Sequence, residues 1–415
     1  MPTQTYPANL SYAISKMTGF SKQTVKLVPS KDSSISPGET ITIDLPSNAL
    51  VDLATLQLHT TVTTTATGTT NVAAMPSKHS ENMIAKIAVS VNGVQLMSSG
   101  DLPLIQTMLL NLNAGTDCTG RRTPYSLGAD LGASGDSGNA SVTSKAVVVS
   151  NWAGFLGSVQ PRVLDTALTG SIRVDITFSG EGIMCVKNHS DNTGSISIDT
   201  AHATVDVLGI NDDAYYKSTQ SFLQAGNTLE LPFQTWISTL NSVSSTSQTT
   251  RFSVNTGSLD MVLACFPENY TVNTVGLAND TMHQANTLKM TSGGDVDTYQ
   301  FSVNNITYPA YAPGASEAFP LLMSAFRVNN DLLGGCDPNI TTDAIYKSDS
   351  FICGYKFNAE GVDISGISTL GSSAQIAFQT VATSGSSKDP GYCFLAALCS
   401  SVLRISAGQS ISVIY

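Results

Sequence analysis

Residues 37–46 read PGETITIDLP and residues 225–233 read AGNTLELPF, a glycine turn followed by an alternating apolar strand, met twice in one chain. The two glycines stand 226 − 38 = 188 positions apart in a molecule of 415 residues. An offset near half the length points to a duplicated domain. Two domains of about 200 residues also suit the length, because β-sandwiches of that size fold as single units.

The phrase has company. In the first half it is followed by ALVDLATLQLHTTVTT (49–64), IAKIAVSVNGVQL (84–96) and DLPLIQTMLLNL (101–112), which read as strand, hairpin and helix. Asn92-Gly93 between alternating apolar residues is a type I′ turn signal. Asp101 as a cap, Pro103 in the first turn and apolar Leu102, Ile105, Leu109 and Leu112 mark the helix. The second half keeps the order with SLDMVLACF (258–266), YQFSVNNITYP (299–309) and SEAFPLLMSAFRV (316–328). There Ser316 is the expected cap and Pro320 lies at the limit of the first turn. TALTGSIRVDITF (166–178) then matches STLGSSAQIAFQ (368–379). The step from Gly38 to Asn92 is 92 − 38 = 54 residues and from Gly226 to Asn304 is 304 − 226 = 78, an excess of about 24 assigned to the polar segment 271–295. Segment 116–144 is the long loop of the first half.

Composition limits the class. The chain is 41% hydrophobic but only 12% charged, about half the roughly 25% of ordinary soluble domains. Ser and Thr take the place of charge, in runs such as TTVTTTATGTTN (60–71), and their alternation with Val, Ile and Leu favours strands. A surface short of charge is poorly protected against ordered contact with neighbouring copies. The net charge is −11, yet residues 1–31 hold Lys16, Lys22, Lys26 and Lys31 and no acid, leaving −11 − 4 = −15 on the rest. This reads either as a solvated tail or as a basic arm for phosphates or an anionic lipid surface. Seven cysteines without CxxC spacing argue for buried, reduced thiols. No signal pattern and no run of ~20 apolar residues is present, so the expectation is a chain made inside the cell and not integral to a membrane.

The polar stretch GEGIMCVKNHSDNTGS (180–195) sets the expected boundary. The division is a basic arm at 1–31, a first domain at 32–194 and a second at 195–415, with a short helix near 211–226. The fold class is all-β: two tandem jelly-roll sandwiches, each with a short helix between hairpins.

VDVLGINDDAYYKSTQSFLQAGNTLELPF (205–233), FICGYKFNAEGVDISGISTLGSSAQIAFQTV (351–381) and VLRISAGQSISVIY (402–415) carry a resemblance. In these stretches the chain resembles the double jelly-roll major capsid proteins of tailless icosahedral DNA phages, adenoviruses, virophages and large DNA viruses. The resemblance implies a homotrimer whose six rolls make a pseudo-hexagonal capsomer in a lattice of trimers. It also implies contacts with minor capsid and penton proteins, and a virion location after assembly inside the host cell. Segments 116–144 and 271–295 become tower loops, and the Lys16 to Lys31 arm faces inward, toward genome or internal membrane. The alternative is a tandem β-sandwich that binds carbohydrate, as an attachment protein or lectin would.

Chemistry is sparse. GDSG (135–138) resembles the nucleophile segment of chymotrypsin-like proteases, but no histidine segment accompanies it, and a flexible loop explains it better. His59 lies in a Thr-rich strand and His79 in PSKHSEN, His189, His202 and His283 lack i, i+4 partners, and Asp212, Asp213, Asp295 and Asp297 lack the spacing of a calcium loop. No catalytic residue, metal ligand or cofactor site is expected. Trp152 and Trp236 sit among apolar neighbours and are read as anchors of a core or interface.

Overall fold

Alternating side chains fold the first half into two facing antiparallel sheets. The computed structural model describes residues 20–67, 74–76, 80–113, 144–187, 193–210, 213–245, 247–267, 296–325, 351–359, 364–371, 375–381 and 391–415. Strands β1 (Phe20–Leu27), β2 (Ser33–Ile35), β3 (Thr40–Asp44), β4 (Leu50–Thr67), β5 (Ala74–Pro76), β6 (Ile84–Val91) and β7 (Val94–Ser99) lead to helix α1 (Leu102–Asn113). Then come β8 (Lys145–Val149), β9 (Val163–Asp165), β10 (Ile172–Phe178), β11 (Cys185–Lys187) and β12 (Thr193–Ile210). One sheet runs β1-β12-β4-β8, with β2 also on β12 and β9 on β4; the other runs β3-β10-β6-β7. A separate ribbon pairs β5 with β11. Ile41, Ile43, Val89, Val174 and Ile176 from one sheet meet Val51, Leu53, Leu58, Val62 and Val205 from the other, all buried.

Helix α2 (Asp213–Gln224) links to the second half, made of β13 (Leu229–Val243), β14 (Gln248–Ser253), β15 (Leu259–Cys265), β16 (Thr298–Val303) and β17 (Ile306–Tyr308). Helix α3 (Ala315–Ala325), β18 (Ile352–Lys356), β19 (Gln375–Val381), β20 (Gly391–Ser406) and β21 (Ser410–Ile414) complete it. Its sheets run β13-β20-β15-β18, with β21 on β20, and β14-β19-β16-β17. The core between them is aromatic: Phe301 and Phe378 lie 5.0 Å apart, with Tyr299 edge-on to Phe301.

The halves therefore match strand for strand, β1 with β13, β4 with β15, β12 with β20, β3 with β14 and β7 with β17. The repeat reaches single hydrogen bonds. Thr166 donates its N–H to Ala49 O, and its hydroxyl accepts from Ala49 N, both at 2.9 Å. Thr369 repeats this on Thr256, at 2.9 and 3.1 Å. Both hairpins turn through left-handed residues, Asn92-Gly93 (φ 46 and 82) and Asn304-Asn305 (φ 52 and 65), as type I′ requires.

This correspondence corrects four expectations. First, the two opening phrases are not equivalent. Gly38 (φ 81) opens β3, whereas Gly226 (φ 84) opens β13, the counterpart of β1. A left-handed glycine before an alternating strand is turn chemistry that recurs, here again at Gly408 (φ 75). The true offsets are 256 − 49 = 207 and 304 − 92 = 212. From Ala49 to Asn92 is 43 residues and from Thr256 to Asn304 is 48, so the excess falls to 48 − 43 = 5. Second, β12 pairs β1, β2 and β4, so the first roll runs to Ile210 rather than ending at 194. The polar stretch misled because it contains a one-turn helix, Glu181–Met184, and β11 inside the same roll. Third, residues 20–27 are not part of an arm: Val25 and Leu27 turn inward opposite Val205 and Ala203. Fourth, the second cap differs. Asp101 stands directly before α1, with its carboxylate accepting from Ser238 in the other half, whereas Gly314 N–H donates to Glu317 at 2.9 Å, which starts α3 at Ala315 and leaves Pro320 in its interior. The side chains of Leu112 and Ser316, the loop 116–143 and the segment 271–295 lie outside the described residues.

Candidate functional site

Strand β13 hydrogen-bonds to β20 along its whole length, and its other edge would stand open. An open edge of fifteen residues is a template for unwanted pairing. The first roll closes it. Gln160 N–H donates to Pro232 O at 3.0 Å. The Ser158 hydroxyl accepts from Gln234 N–H at 2.8 Å and donates to Gln234 O at 3.3 Å. Ser99 donates to Trp236 O at 2.8 Å, and Ser238 donates to Gly100 O at 3.2 Å. Alternate residues of the edge are thus satisfied by side chains and loop amides of the neighbouring roll.

The loop that does this follows β8 and reads NWAGFLGSVQP. Phe155 packs edge-on against Phe233 of β13 at 5.2 Å, a geometry worth about 0.5–1.5 kcal/mol beyond the area buried. Two glycines make the approach. Gly154 has φ 74, and a Cβ there would fall 2.4 Å from Met97 Cε; at Gly157 it would fall 1.8 Å from Trp152 O. Trp152 and Trp236 are both buried, and Trp152 Nε1–H donates to Leu56 O at 2.7 Å. Both line a cavity of about 500 Å³ between the rolls, beside Met261, Leu398 and Asp260. Asp260 is buried and accepts from Ser258 at 2.8 Å and from Ser400. At the far end Asn92 donates to Gln409 O at 3.1 Å, and the Tyr415 hydroxyl donates to Gln95 O at 3.1 Å. Sequence singled out the tryptophans; the serines and the Phe155–Phe233 contact carry no signal above ordinary strand and loop residues.

The basic positions sit at the opposite edge of the first roll. Lys22 bonds Asp206 at 2.6 Å, and Lys31 bonds Glu39 at 2.6 Å. The Lys22 hydrogen bond, with that of Thr24, holds the Asp206 carboxyl below its ordinary value, and Lys31 does the same for Glu39. Lys26 is exposed on β1 and lowers the proton affinity of nearby His202. Lys16 lies outside the described residues.

His202 has no i, i+4 partner but meets His59 across the sheet. They are register partners on β4 and β12, with rings stacked 5.0 Å apart, and His59 Nε2 lies 2.9 Å from Thr204 Oγ1. Burial pushes both below the ordinary histidine value. Among the described residues no three His, Cys, Asp or Glu side chains group as metal ligands. GDSG at 135–138, His79, His189 and His283 lie outside them. Cys185, Cys265, Cys353, Cys393 and Cys399 are buried thiols outside any disulfide. Burial raises the Cys185 thiol to about 12 and the Cys393 thiol to about 11, which leaves almost no thiolate near neutrality.

Two antiparallel sandwiches in tandem, each built on a pair of four-strand sheet paths and joined along a sealed edge, define a double jelly-roll protein. Solved structures share that fold over nearly the whole chain. The capsid chain of PBCV-1 virus superposes with a TM-score of 0.61 at 12% identity, covering 96% of this chain and 97% of that one. The Faustovirus major capsid protein gives 0.60 at 10% identity, covering 98% and 92%. A chain of the Sputnik virophage gives 0.57 at 10% identity, covering 95% and 89%. No protein-family model matches the chain, and no curated protein matches it in sequence.

Proposed function

We propose that this chain is a structural virion protein, the major capsid subunit of an icosahedral shell. Homotrimers form pseudo-hexagonal capsomers, and capsomers form the lattice. The observation that carries this reading is the pair of rolls joined into one body by a sealed β13 edge and matched end to end by capsid chains. The low charge of the surface supports it, since ordered contact between copies needs little charge to be displaced. The work of such a protein is geometric: modest contacts multiplied over a closed shell.

The finer parts of the reading are the homotrimer, partnership with minor capsid and penton proteins, and assembly inside the host cell. Contact with genome or internal membrane is assigned to the segment before β1, with Lys16, and to Lys26, which has no acid partner among the described residues. Light scattering on purified protein, with electron microscopy of the same peak, tests the reading. The expected result is a trimer with a six-lobed outline. A monomer or dimer with two lobes, together with saturable glycan binding, would return the carbohydrate-binding alternative.

A further inference from the structure

Register lets the two smaller sheets be compared position by position. Ile172 pairs Val91 in β6 and Ile376 pairs Val303 in β16, each valine standing directly before its hairpin turn. Arg173 therefore corresponds to Ala377, and Asp175 to Gln379. On the neighbouring strands Asp44 pairs Arg173 and Arg251 pairs Ala377, so Asp44 corresponds to Arg251.

The outward face of the first roll's sheet satisfies itself. Arg173 Nε–H donates to Asp175 at 3.1 Å and its Nη2 donates to Thr42 at 3.2 Å, while the Thr42 hydroxyl donates to Asp175 at 2.6 Å. The second roll keeps the strands and loses the network. Where the first has two acids around an arginine, the second has Arg251 and Gln379 around the small Ala377. A groove of about 380 Å³ lies over that alanine, across β14, β19, β16 and β17, a volume within the roughly 300–1,000 Å³ of small-ligand sites. Arg251, Gln375, Gln379 and Asn305 line it, and no acid does among the described residues. The side chains of these four have no hydrogen-bond partner among the described residues.

A guanidinium offers only donors, and an amide NH₂ adds more. A groove with spare donors and no carboxylate selects a ligand made of acceptors. A carboxylate keeps its oxygens in one plane, where Arg251 alone serves them, whereas phosphate oxygens point tetrahedrally toward several strands. Strands about 4.8 Å apart bring Arg251 and the two glutamines flanking Ala377 within reach of one such group. The chain's net charge of −11 disfavours a long polyanion.

We propose that this groove is a phosphate site, taking free phosphate or the phosphate monoester of a small soluble molecule over Ala377, with Arg251 forked onto its oxygens and Gln375 and Gln379 beside it. The first roll has no such site, because Asp175 already occupies the donors of Arg173.

Calorimetric titration of the full chain with inorganic phosphate, and separately with glycerol phosphate, tests this at constant ionic strength in chloride. Saturable binding of phosphate is expected, with acetate much weaker; tighter binding of glycerol phosphate would assign the site to a monoester, and equal or weaker binding to the free ion. Arg251→Ala is expected to lower the affinity by about tenfold or more. Ala377→Glu sets a carboxylate opposite Arg251 and fills the groove, and is expected to abolish binding. Arg173→Ala, on the equivalent face of the first roll, is expected to leave it unchanged. Circular dichroism checks that each variant is folded. Absence of saturable binding, binding that survives Arg251→Ala, an equal loss in Arg173→Ala, or acetate bound as tightly as phosphate overturns the site. None of these outcomes bears on the shell-subunit reading, which the oligomer's mass and outline test separately.

Discussion

The sheets β1-β12-β4-β8 and β13-β20-β15-β18 have the same strand order and different side chains. Along β4, Leu56, Leu58 and Val62 are buried while Gln57, His59 and Thr63 reach the surface. Along β15, LDMVLAC is buried at every position, and β20 is buried through most of its length. One outer face meets solvent; the other is covered by the first roll and by α3, whose Leu322 leaves no room for a Cβ at Gly354. A strand buried on both faces loses its alternation, which is how a continuous apolar run arises in an antiparallel sheet. The comparison teaches that the second roll is built to be leaned on, and that a fold can repeat while its surface chemistry does not.

Breaking the apolar side of that comparison has the largest expected effect. Phe233→Ala removes the ring that Phe155 packs against and is expected to lower unfolding free energy by about 3–5 kcal/mol, read by urea denaturation. A loss near zero would mean that the rolls do not support one another. Next, Ser158→Ala leaves the edge amide of Gln234 without an acceptor, with an expected loss of about 1–3 kcal/mol in the same assay.

The duplication itself is sharpened by Thr166→Val and Thr369→Val. Each removes the same acceptor and donor in its own roll, and each is expected to lower stability by about 1–3 kcal/mol. Clearly unequal losses would show that one roll carries the other. The smallest effect belongs to the ionic face. Asp206 is held below the ordinary carboxylate value by Lys22, then Thr24, so its contribution is present above about pH 4, the unfolded value. It is lost as pH falls through the lower folded value. Asp206→Asn is expected to flatten the acid limb of a melting-temperature profile below about pH 4; an unchanged limb would mean that the pair adds nothing.

Much of this was legible in sequence. The β class, the hairpins at Asn92-Gly93 and Asn304-Asn305, the three helices and the match of TALTGS to STLGSS follow from local chemistry, since periodicity and turn residues act within a few positions. The boundary and the arm were not legible. β12 reads as a strand that fits either roll and β1 reads as part of a basic arm, and only pairing partners 193 − 67 = 126 to 210 − 20 = 190 residues away assign them. The same limit hid the seam, because a serine that closes an edge looks like any serine.

By itself, then, the sequence determined a tandem β protein with a low-charge surface, because alternation and composition are properties of the chain alone. Tertiary structure decided which strands are equivalent, where the first roll ends, and that loop and side-chain groups of the first roll seal the outer edge of β13. Hydrogen-bond partners across a sheet are chosen by space, and spacing along the chain does not encode them.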